Sequence, residues 1–396
     1  MTGRPNSGEI SPATSEAGRQ TPDTRGVTAT HLAASNLDGA EAKAVHSNAV
    51  TVNANVTEVN IELQPIEVAG LAVLEREWRE LEGRATSDSI YTSFDWLRAW
   101  AEVYRPRRLV AMRAVDTDDN RTAALGLIEI DRVREWRFAG GAQTPRRAPL
   151  CANGYEDAVW KALGKWLRSH PHAWSTLHAA ELGPGAEALP HARMQVRHTP
   201  CRSLPDSFDS YLASLTSKRR GDARRRLRLI DQVGIEIREV MPGELERAIE
   251  DFIRLHHRRA DTKRETRLNL DNRLDKLLMR IQGAASLDLT VFEMRHCDER
   301  IGLNVVLERG GIVYLYSHGW DPAAARFAPG IVMALETIRY AIDRGMLTID
   351  MGPGEQRYKL DLGFTPDPRL MLEAYNPLGW ARALRIAADA YARLRR

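Results

Sequence analysis

The polar, glycine and proline residues that suggest a reactive site are concentrated between Arg309 and Phe364. Their first feature is a loop that opens directly into a predicted helix. Free backbone N–H groups and the positive end of the helix dipole converge at such a helix start, which can therefore bind a phosphate. The loop and its first helical residue are Arg326, Phe327, Ala328, Pro329, Gly330 and Ile331. Many helices begin after a Pro-Gly pair for structural reasons alone, so both interpretations stay open at this point.

A second group of polar side chains follows the next predicted strand. Carboxylates in such positions can act as general bases and a tyrosine as a general acid. The alternative is a purely structural role, in which the carboxylates stabilise turns and the Tyr-Lys pair packs at the rim of the loop. The residues are Asp321, which precedes the loop, and then Asp350, Glu355, Arg357, Tyr358, Lys359 and Asp361.

The elements that must position these residues can be predicted from pattern. Gly310 and Gly311 indicate a turn into a buried strand, Ile312 to Tyr316, which is rich in β-branched and aromatic residues. Ile331 to Arg344 has apolar residues at helical spacing, and Gly345 stands where a helix often ends in a left-handed residue. Leu347 to Met351 predicts a short strand that delivers Asp350 to the loop.

Composition limits the classes of function. The chain has 396 residues, of which 43% are hydrophobic and 28% are charged, which is enough for two ordinary domains. Its 56 basic and 53 acidic side chains give a net charge of +3, so no global field indicates a dedicated nucleic-acid binder. The three cysteines lack metal or redox spacing and are predicted to be free thiols, and no metal site is expected. No apolar run is long enough for a membrane span, so we expect the cytoplasm.

Four segments are predicted along the chain. Residues 1–56 are poor in large apolar side chains and should be disordered. Residues 57–202 carry a strand, helices and a hairpin, with Ser93 as a helix N-cap and Trp96 and Trp100 on one core face. After a link with prolines, Pro200 to Asp206, a second domain covers residues 203–375. Residues 376–396 form an amphipathic basic helix that should pack back on the protein, although contact with a membrane surface remains possible.

A basic run opens the second domain. Its cations are Lys218, Arg219, Arg220, Arg224, Arg225, Arg226 and Arg228, around a single acid, Asp222. It is either a solvated helix face or a patch for an anion such as the distal phosphate of coenzyme A, a polyanionic acceptor or tRNA. Farther on, His256 and His257 are adjacent, so on a helix they point about 100° apart and cannot chelate one metal together. A core or rim histidine is the better interpretation.

The motifs resemble a known family. Tyr314 to Asp321 (YLYSHGWD), Phe327 to Gly330 (FAPG), Asp350 to Glu355 (DMGPGE) and Tyr358-Lys359 are similar to the signature of CelD-like acyltransferases, a cellulose-biosynthesis-associated family of the GNAT superfamily related to the FemABX ligases. The resemblance implies an α+β (α/β) fold of tandem GNAT-like acyl-CoA N-acyltransferase domains, each with a mixed, mostly antiparallel sheet flanked by helices. The first domain, which lacks a convincing phosphate loop, is expected to be degenerate. It would be structural and could form a wall of the acceptor cleft.

The resemblance also implies roles. Acyl-CoA would be a co-substrate, with no permanently bound cofactor, and its pyrophosphate would lie on the loop from Arg326 to Ile331. A backbone N–H of the strand up to Ser317 would polarise the thioester carbonyl. Asp321, Asp350 and Glu355 are the candidate bases, with His318 a fourth that is less typical of the family, and Tyr358 is the candidate acid. Lys359 would neutralise a phosphate or carboxylate, since nothing in the sequence indicates that it is buried.

Three functions follow from these observations. The first is transfer of an acyl group, with acetyl-CoA the expected donor, to an amine or hydroxyl in polysaccharide or cell-envelope metabolism. The second is a FemABX-like ligase that uses aminoacyl-tRNA, the only case in which a nucleic acid would be a partner. The third is a non-catalytic accessory protein in cellulose synthesis.

Overall fold

The structure is a computed structural model that describes residues 58–85, 89–182, 186, 189, 191–263 and 273–394. The segment predicted to be disordered, 1–56, lies outside the described residues. The strands are β1 Val59–Ile66, β2 Leu109–Asp116, β3 Thr122–Ile130, β4 Glu135–Phe138, β5 Leu150–Cys151, β6 Thr176–Leu182, β7 Ala192–Ser203, β8 Glu236–Glu239, β9 Asp288–His296, β10 Glu299–Arg309, β11 Ile312–Trp320, β12 Thr348–Asp350 and β13 Thr365–Tyr375.

Helices cover both faces of the sheet that these strands form. They are α1 Glu75–Glu82, α2 Phe94–Tyr104, α3 Glu156–Ser169, α4 Phe208–Ser214, α5 Ser217–Gln232, α6 Leu245–Lys263, α7 Leu274–Ile281, α8 Pro329–Asp343, α9 Arg357–Asp361 and α10 Gly379–Leu394. A 3-10 turn, Pro322–Phe327, connects β11 to α8. Ser93 caps α2 as predicted, since its Oγ accepts a hydrogen bond from the N–H of Trp96 at 3.3 Å. None of the described helices is long and apolar enough to cross a membrane.

The sheet is continuous, with the strand order β1, β2, β3, β4, β6, β13, β7, β12, β11, β10, β9, β8 and with β5 beside β3. Most neighbouring strands are antiparallel. Two pairs are parallel, β4 with β6 and β11 with β12, and the chain between the members of each pair contains a helix, α3 or α8. The described chain therefore has the mixed, mostly antiparallel sheet flanked by helices that was expected, with the same parallel unit in each half.

Each half of the chain gives its last strand to the sheet of the other half. We call β1 to β7 the first half and α4 to α10 the second half. β7 pairs with β12 of the second half, with Cys201 opposite Asp350, and β13 pairs with β6 of the first half, with Tyr375 opposite Thr176. The two exchanged strands also pair with each other from Thr365 to Ala374. Continuous backbone pairing therefore joins the two halves.

Three hydrophobic clusters hold the sheet and helices together. One lies in the first half under α3, and one lies in the second half under α4, α5 and α8. The third contains side chains from both halves, including Trp96 and Trp100 of α2 and Phe252 of α6. Trp96 is 0% exposed and Trp100 is 2% exposed, which confirms that this tryptophan pair belongs to the core. The shared cluster fixes α2 against the second half.

Several predicted elements differ in extent from those observed. The prolines at the start of the predicted link mislead, because Pro200 lies inside β7, where its carbonyl oxygen accepts a hydrogen bond from Met351. α8 begins at Pro329, two positions before the predicted start at Ile331, because proline is favoured in the first helical turn. The polar loop after β12 contains a helix, α9, that carries Tyr358 and Lys359.

The C-terminal helix is observed as α10. Ala381 in its first turn is buried, and Trp380 lies beneath the guanidinium of Arg134 at 5.2 Å from the ring centroid. This start of the helix therefore packs on the first half, as predicted. Leu384, which is 37% exposed, and Ile386 and Tyr391 farther along are open to solvent.

Candidate functional site

β11 and β12 part in the middle of the sheet. Their parallel pairing covers Ile312 to Tyr314 opposite Thr348 to Asp350 and stops there, while β11 continues to Trp320 beside β10. The register of β11 against β10 shifts at the same place, so that Tyr316 is an extra residue in a β-bulge. Beyond Tyr314, β11 has no strand partner on the β12 side among the described residues, which leaves a gap between the two strands.

The chain after β12 follows β7, although Gly352 still lies beside β11, where a Cβ would be 3.6 Å from the carbonyl oxygen of Leu315. The N–H of Met351 donates to the carbonyl oxygen of Pro200 at 3.0 Å, and the N–H of Gly354 donates to that of His198 at 2.9 Å. The gap is therefore bounded by β11 on one side and by the loop from Met351 to Gly354, backed by β7, on the other.

The start of α8 lies at this gap with an unusual set of backbone donors. Pro329 has no N–H, and the N–H groups of Ile331 and Val332 both donate to the carbonyl of Ala328, at 3.0 and 3.1 Å. Ala328 itself takes the left-handed conformation, with φ 50°. Among the described residues, the N–H of Gly330 has no backbone acceptor, so it is the donor that the predicted anion site would use. The first turn of α8 contains no acidic residue.

Aromatic side chains surround Gly330. A Cβ placed on Gly330 would lie 3.6 Å from Nε1 of Trp320 and 3.8 Å from Nε2 of His318, which both belong to the part of β11 that has no pairing with β12. The ring of Tyr358 in α9 stands edge-on to His318, with 6.2 Å between the ring centroids. Gly330, Trp320, His318 and Tyr358, which we call the cradle, come from three separate elements and meet at one spot.

The other residues of the predicted donor loop have different surroundings. Arg326 is exposed, and its guanidinium lies 4.6 Å from the ring centroid of Phe327. Phe327 is 8% exposed and belongs to the hydrophobic cluster of the second half, so its side chain serves packing. Ser317 points to the opposite face of β11, toward α6, where its Oγ lies 3.5 Å from Nδ1 of His256.

The three predicted bases are held in three different ways. Asp321 caps the 3-10 turn by accepting from the N–H of Ala323 at 2.9 Å, and it also pairs with Arg258. Asp350 accepts from the N–H of Gly352 at 2.7 Å, which fixes the turn after β12. Both carboxylates therefore have a structural role as N-cap or turn former.

Glu355 contacts a histidine that the sequence did not suggest. An oxygen of its carboxylate lies against Nδ1 of His198 on β7, and the two side chains are 46% and 41% exposed. His198 precedes the second half in sequence, so only the strand exchange shows that it lies beside the gap. Of the three predicted bases, Glu355 is the most exposed, and it lies at the edge of the gap.

Lys359 differs most from expectation. It is 4% exposed, and its ammonium donates to three successive carbonyl oxygens, those of Gly352 at 2.9 Å, Pro353 at 3.1 Å and Gly354 at 3.2 Å. Burial lowers the pKa of Lys359 to about 8, against the opposing effects of Asp350 and Cys201. The side chain holds the loop and is not placed to meet a ligand phosphate.

Helix α6 packs directly on β11 at Gly319. A Cβ on Gly319 would lie 2.6 Å from the carbonyl oxygen of Phe252 and 2.7 Å from the backbone nitrogen of His256. His256 is 4% exposed, and its Nδ1 donates to the carbonyl oxygen of His318 at 3.0 Å. His256 is therefore a core histidine that fixes the backbone of β11 beside the cradle, and no metal role is needed to explain it.

The first half contacts β11 at the level of the gap. The rings of Tyr91 and Tyr314 are 5.6 Å apart, and those of Trp96 and Tyr316 are 5.8 Å apart. The hydroxyl of Tyr316 donates to the carbonyl oxygen of Gln143 at 3.2 Å. Burial raises the pKa of Tyr316 well above its ordinary range, so this phenol stays protonated. The first half thus forms the wall against this face of β11.

The parallel unit of the first half has a different chemistry. Its helix, α3, carries Glu156 and Asp157 in the first turn, and no side chain caps it. These two carboxylates would repel a phosphate from the helix start. The first turn of α8 contains no such carboxylate.

The basic run lies on α5, next to these elements. α5 contacts α8 and the 3-10 turn, and Nη2 of Arg219 lies 3.3 Å from Oδ1 of Asp361 in α9. Ala223 and Ile230 bury one side of the helix. The opposite side exposes four cations, Lys218, Arg224, Arg225 and Arg228.

Comparisons with known proteins agree with this geometry. Residues 217–360 match a family model described as Acetyltransferase (GNAT) domain. The matched segment runs from α5 to α9 and contains the cradle, the gap and Lys359. No curated protein matches the chain in sequence.

Two solved structures resemble the chain over most of its length. The C-terminal domain (DUF2156) of a candidate lysylphosphatidylglycerol synthetase from Agrobacterium fabrum has a TM-score of 0.51 at 10% identity, covering 81% of this chain and 96% of that one. FemX has a TM-score of 0.52 at 11% identity, covering 78% of this chain and 96% of that one. At these identities the likeness concerns the fold alone. The protein has a GNAT-like acyltransferase fold, whose second half contains the segment that matches the Acetyltransferase (GNAT) domain.

Proposed function

We propose that the protein transfers an acyl group from acyl-CoA, with acetyl-CoA the expected donor, to an amine or hydroxyl acceptor. The observation that carries this proposal is the gap between β11 and β12 next to the start of α8. A thioester that lies in the gap would meet backbone N–H groups of β11 beyond Tyr314, which can polarise its carbonyl. Membership of the CelD-like family, a role in polysaccharide or cell-envelope metabolism and a cytoplasmic location belong to the same proposal.

The cradle supports the donor assignment. A phosphate oxygen at the N–H of Gly330 would also lie close to the indole of Trp320 and the imidazole of His318, which are both placed to donate hydrogen bonds to an anion. Arg326 is at the edge of the same loop and adds a solvated positive charge. Tyr358, edge-on to His318, is the group that we assign to protonate the departing thiolate.

The test replaces Gly330 with Asp. The fold should survive, because a Cβ at this position meets only ordinary contacts and a carboxylate in the first helical turn interacts favourably with the dipole. Donor binding should weaken by more than about 30-fold, which corresponds to about 2 kcal/mol, because the new charge competes with the phosphate. Titration calorimetry with acetyl-CoA measures it.

A matched control is Gly379→Asp. It also places a carboxylate at a helix start, that of α10, where nothing lies within 4 Å of the new Cβ. It should bind acetyl-CoA like the wild type, while Arg326→Glu should weaken binding less than Gly330→Asp because the arginine is solvated. If the Gly330→Asp protein is folded and binds acetyl-CoA with wild-type affinity, the donor phosphate does not bind at the start of α8.

The exposed cations of α5 favour a second candidate, a ligase that uses aminoacyl-tRNA. A stripe of four cations beside the site could bind a nucleic-acid backbone. Replacing Arg224 and Arg228 with Glu should then abolish tRNA binding and its salt dependence. If acyl-CoA is the donor, the same variant should bind acetyl-CoA through α8 with little change. An electrophoretic mobility assay with charged tRNA at two salt concentrations, beside the calorimetry, separates the two candidates.

A further inference from the structure

We propose that His198 is the acceptor-side base of the transfer and that Glu355 positions it. The inference rests on the proposed acyl transfer and adds a residue that belongs to the first half of the chain. An oxygen of the Glu355 carboxylate lies against Nδ1 of His198. Since a carboxylate accepts only, Nδ1 carries a hydrogen and Nε2 of a neutral imidazole presents a lone pair.

The strand order places His198 level with the gap, on β7 behind the loop from Met351 to Gly354. β7 runs antiparallel to β12, and Cys201 lies opposite Asp350, the last residue of β12. Residues of β7 that precede Cys201 therefore extend past the end of β12, in the direction in which β11 extends past Tyr314. His198 is one of these residues, and its carbonyl oxygen accepts a hydrogen bond from the N–H of Gly354.

The other carboxylates at the site are less suited to the task. Asp321 is bound as an N-cap and by Arg258, and Asp350 holds the turn at Gly352. A base that deprotonates the acceptor must be accessible from solvent. It must also have a lone pair that is not used in a structural hydrogen bond. His198, at 41% exposure, meets the first condition, and a pairing that uses Nδ1 alone meets the second.

The proton balance is complete with groups on the protein. Nε2 of His198 takes one proton from the acceptor ammonium, and the freed amine forms the C–N bond at the thioester carbonyl. The C–S bond then breaks, and the sulfur takes the hydroxyl proton of Tyr358. The second proton of the former ammonium passes through water to the tyrosinate, and His198 releases its proton to solvent. The products are the amide, the free thiol and one proton.

The chain offers a matched control. In the first half, Nε2 of His178 lies 2.6 Å from Oε1 of Glu135, a second His–Glu pair that lies on β6 and β4, remote from the gap. A generic loss of a surface His–Glu pair would affect both pairs alike. A base acting on the acceptor would be sensitive only to the pair at the gap.

The experiment measures thiol release from acetyl-CoA with two probe amines. Ethanolamine is protonated at neutral pH and needs a base, whereas hydroxylamine is already neutral. With ethanolamine, His198→Ala should lower kcat by about 10²-fold or more, and added imidazole should restore part of it. Hydroxylamine should show a much smaller loss, and the calorimetric Kd for acetyl-CoA should not change.

Glu355→Gln and the double variant test the positioning role. Glu355→Gln should lower kcat with ethanolamine while the Kd for acetyl-CoA stays constant. The double variant should be no slower than His198→Ala, because the carboxylate acts through the imidazole. His178→Asn should match the wild type throughout.

The outcomes are distinguishable. If His198→Ala turns over ethanolamine at the wild-type rate, or if its lost activity is not restored by imidazole, His198 is not the base. The proposed donor site at α8 is not affected by either result. A wild type that does not bind acetyl-CoA overturns the proposed function itself. If the wild-type protein binds acetyl-CoA but releases thiol with neither amine, then His198 and Glu355 do not act on an amine acceptor.

Discussion

Nζ of Lys359 lies 2.9 Å from the carbonyl oxygen of Gly352, and the next two carbonyls of the same loop also accept from it. Replacing Lys359 with Met keeps the length of the side chain and removes every donor. We expect a loss of about 1–3 kcal/mol in the free energy of unfolding, since charge-assisted hydrogen bonds to three part-buried carbonyls are lost. Urea unfolding measures it. Lys161→Met removes an exposed ion pair with Asp157 and should change stability by less than about 0.5 kcal/mol.

The same lysine predicts a dependence on pH. Burial lowers its folded pKa from the ordinary 10.5 to about 8. Between these values the unfolded chain binds the proton and the folded protein does not, so the contribution of Lys359 to stability rises as pH rises through this window. The stability difference between the wild type and Lys359→Met should therefore grow in favour of the wild type from about pH 8 to about pH 10. A constant difference would show that Lys359 titrates normally.

Gly319→Ala should damage the contact between α6 and β11. Its Cβ would lie 2.6 Å from the Phe252 carbonyl oxygen, which belongs to helix backbone and cannot rotate away. We expect a loss of about 1–3 kcal/mol in unfolding free energy from overpacking, and a weaker His256–His318 hydrogen bond. Gly221→Ala is the control, since nothing lies within 4 Å of its Cβ and an exposed helical glycine gains about 0.5–1 kcal/mol on change to alanine. Denaturant midpoints for both variants decide the sign.

Tyr358→Phe should separate catalysis from binding. The hydroxyl is assigned to the thiolate only as it leaves, so kcat should fall while the Kd for acetyl-CoA stays the same. The ring of phenylalanine keeps the edge-on contact with His318. Steady-state rates and calorimetry on one preparation measure both quantities. An unchanged kcat, with chemistry shown to limit the rate, would remove Tyr358 from this role.

Local pattern was sufficient for much of the second half. The glycine turn at Gly310 and Gly311, the strand after it and the helix that ends before Gly345 are all observed, because each depends on short-range sequence preferences. These elements hold the predicted cofactor loop, whereas Tyr358 lies in α9, a helix that the pattern did not predict. The individual roles of Asp321, Asp350 and Lys359 were not, since they depend on partners that pattern does not show.

The exchanged strands could not be predicted. β13 contains Pro366 and Pro368, which argue against a strand in the interior of a sheet. Within the described residues, its pairing with β6 covers Leu370 to Tyr375, so neither proline stands opposite a residue of β6. Pro200 has no N–H to donate, but its carbonyl oxygen still accepts a hydrogen bond from Met351, so β7 stays joined to the chain after β12. The burial of Lys359 and the position of His198 both follow from this long-range pairing.

The exchange of β7 and β13 also constrains the order of folding during synthesis of the chain. As the chain leaves the ribosome, β6 has its neighbour β4 within reach but waits for β13, which is synthesised almost two hundred residues later (Thr176 to Thr365). The first half therefore cannot complete its sheet edge until nearly the whole chain has been made, and until then that edge is open to a strand from another molecule. Stopping synthesis before Thr365 should leave two unfinished halves, and the shortest product that is fully paired ends after Tyr375.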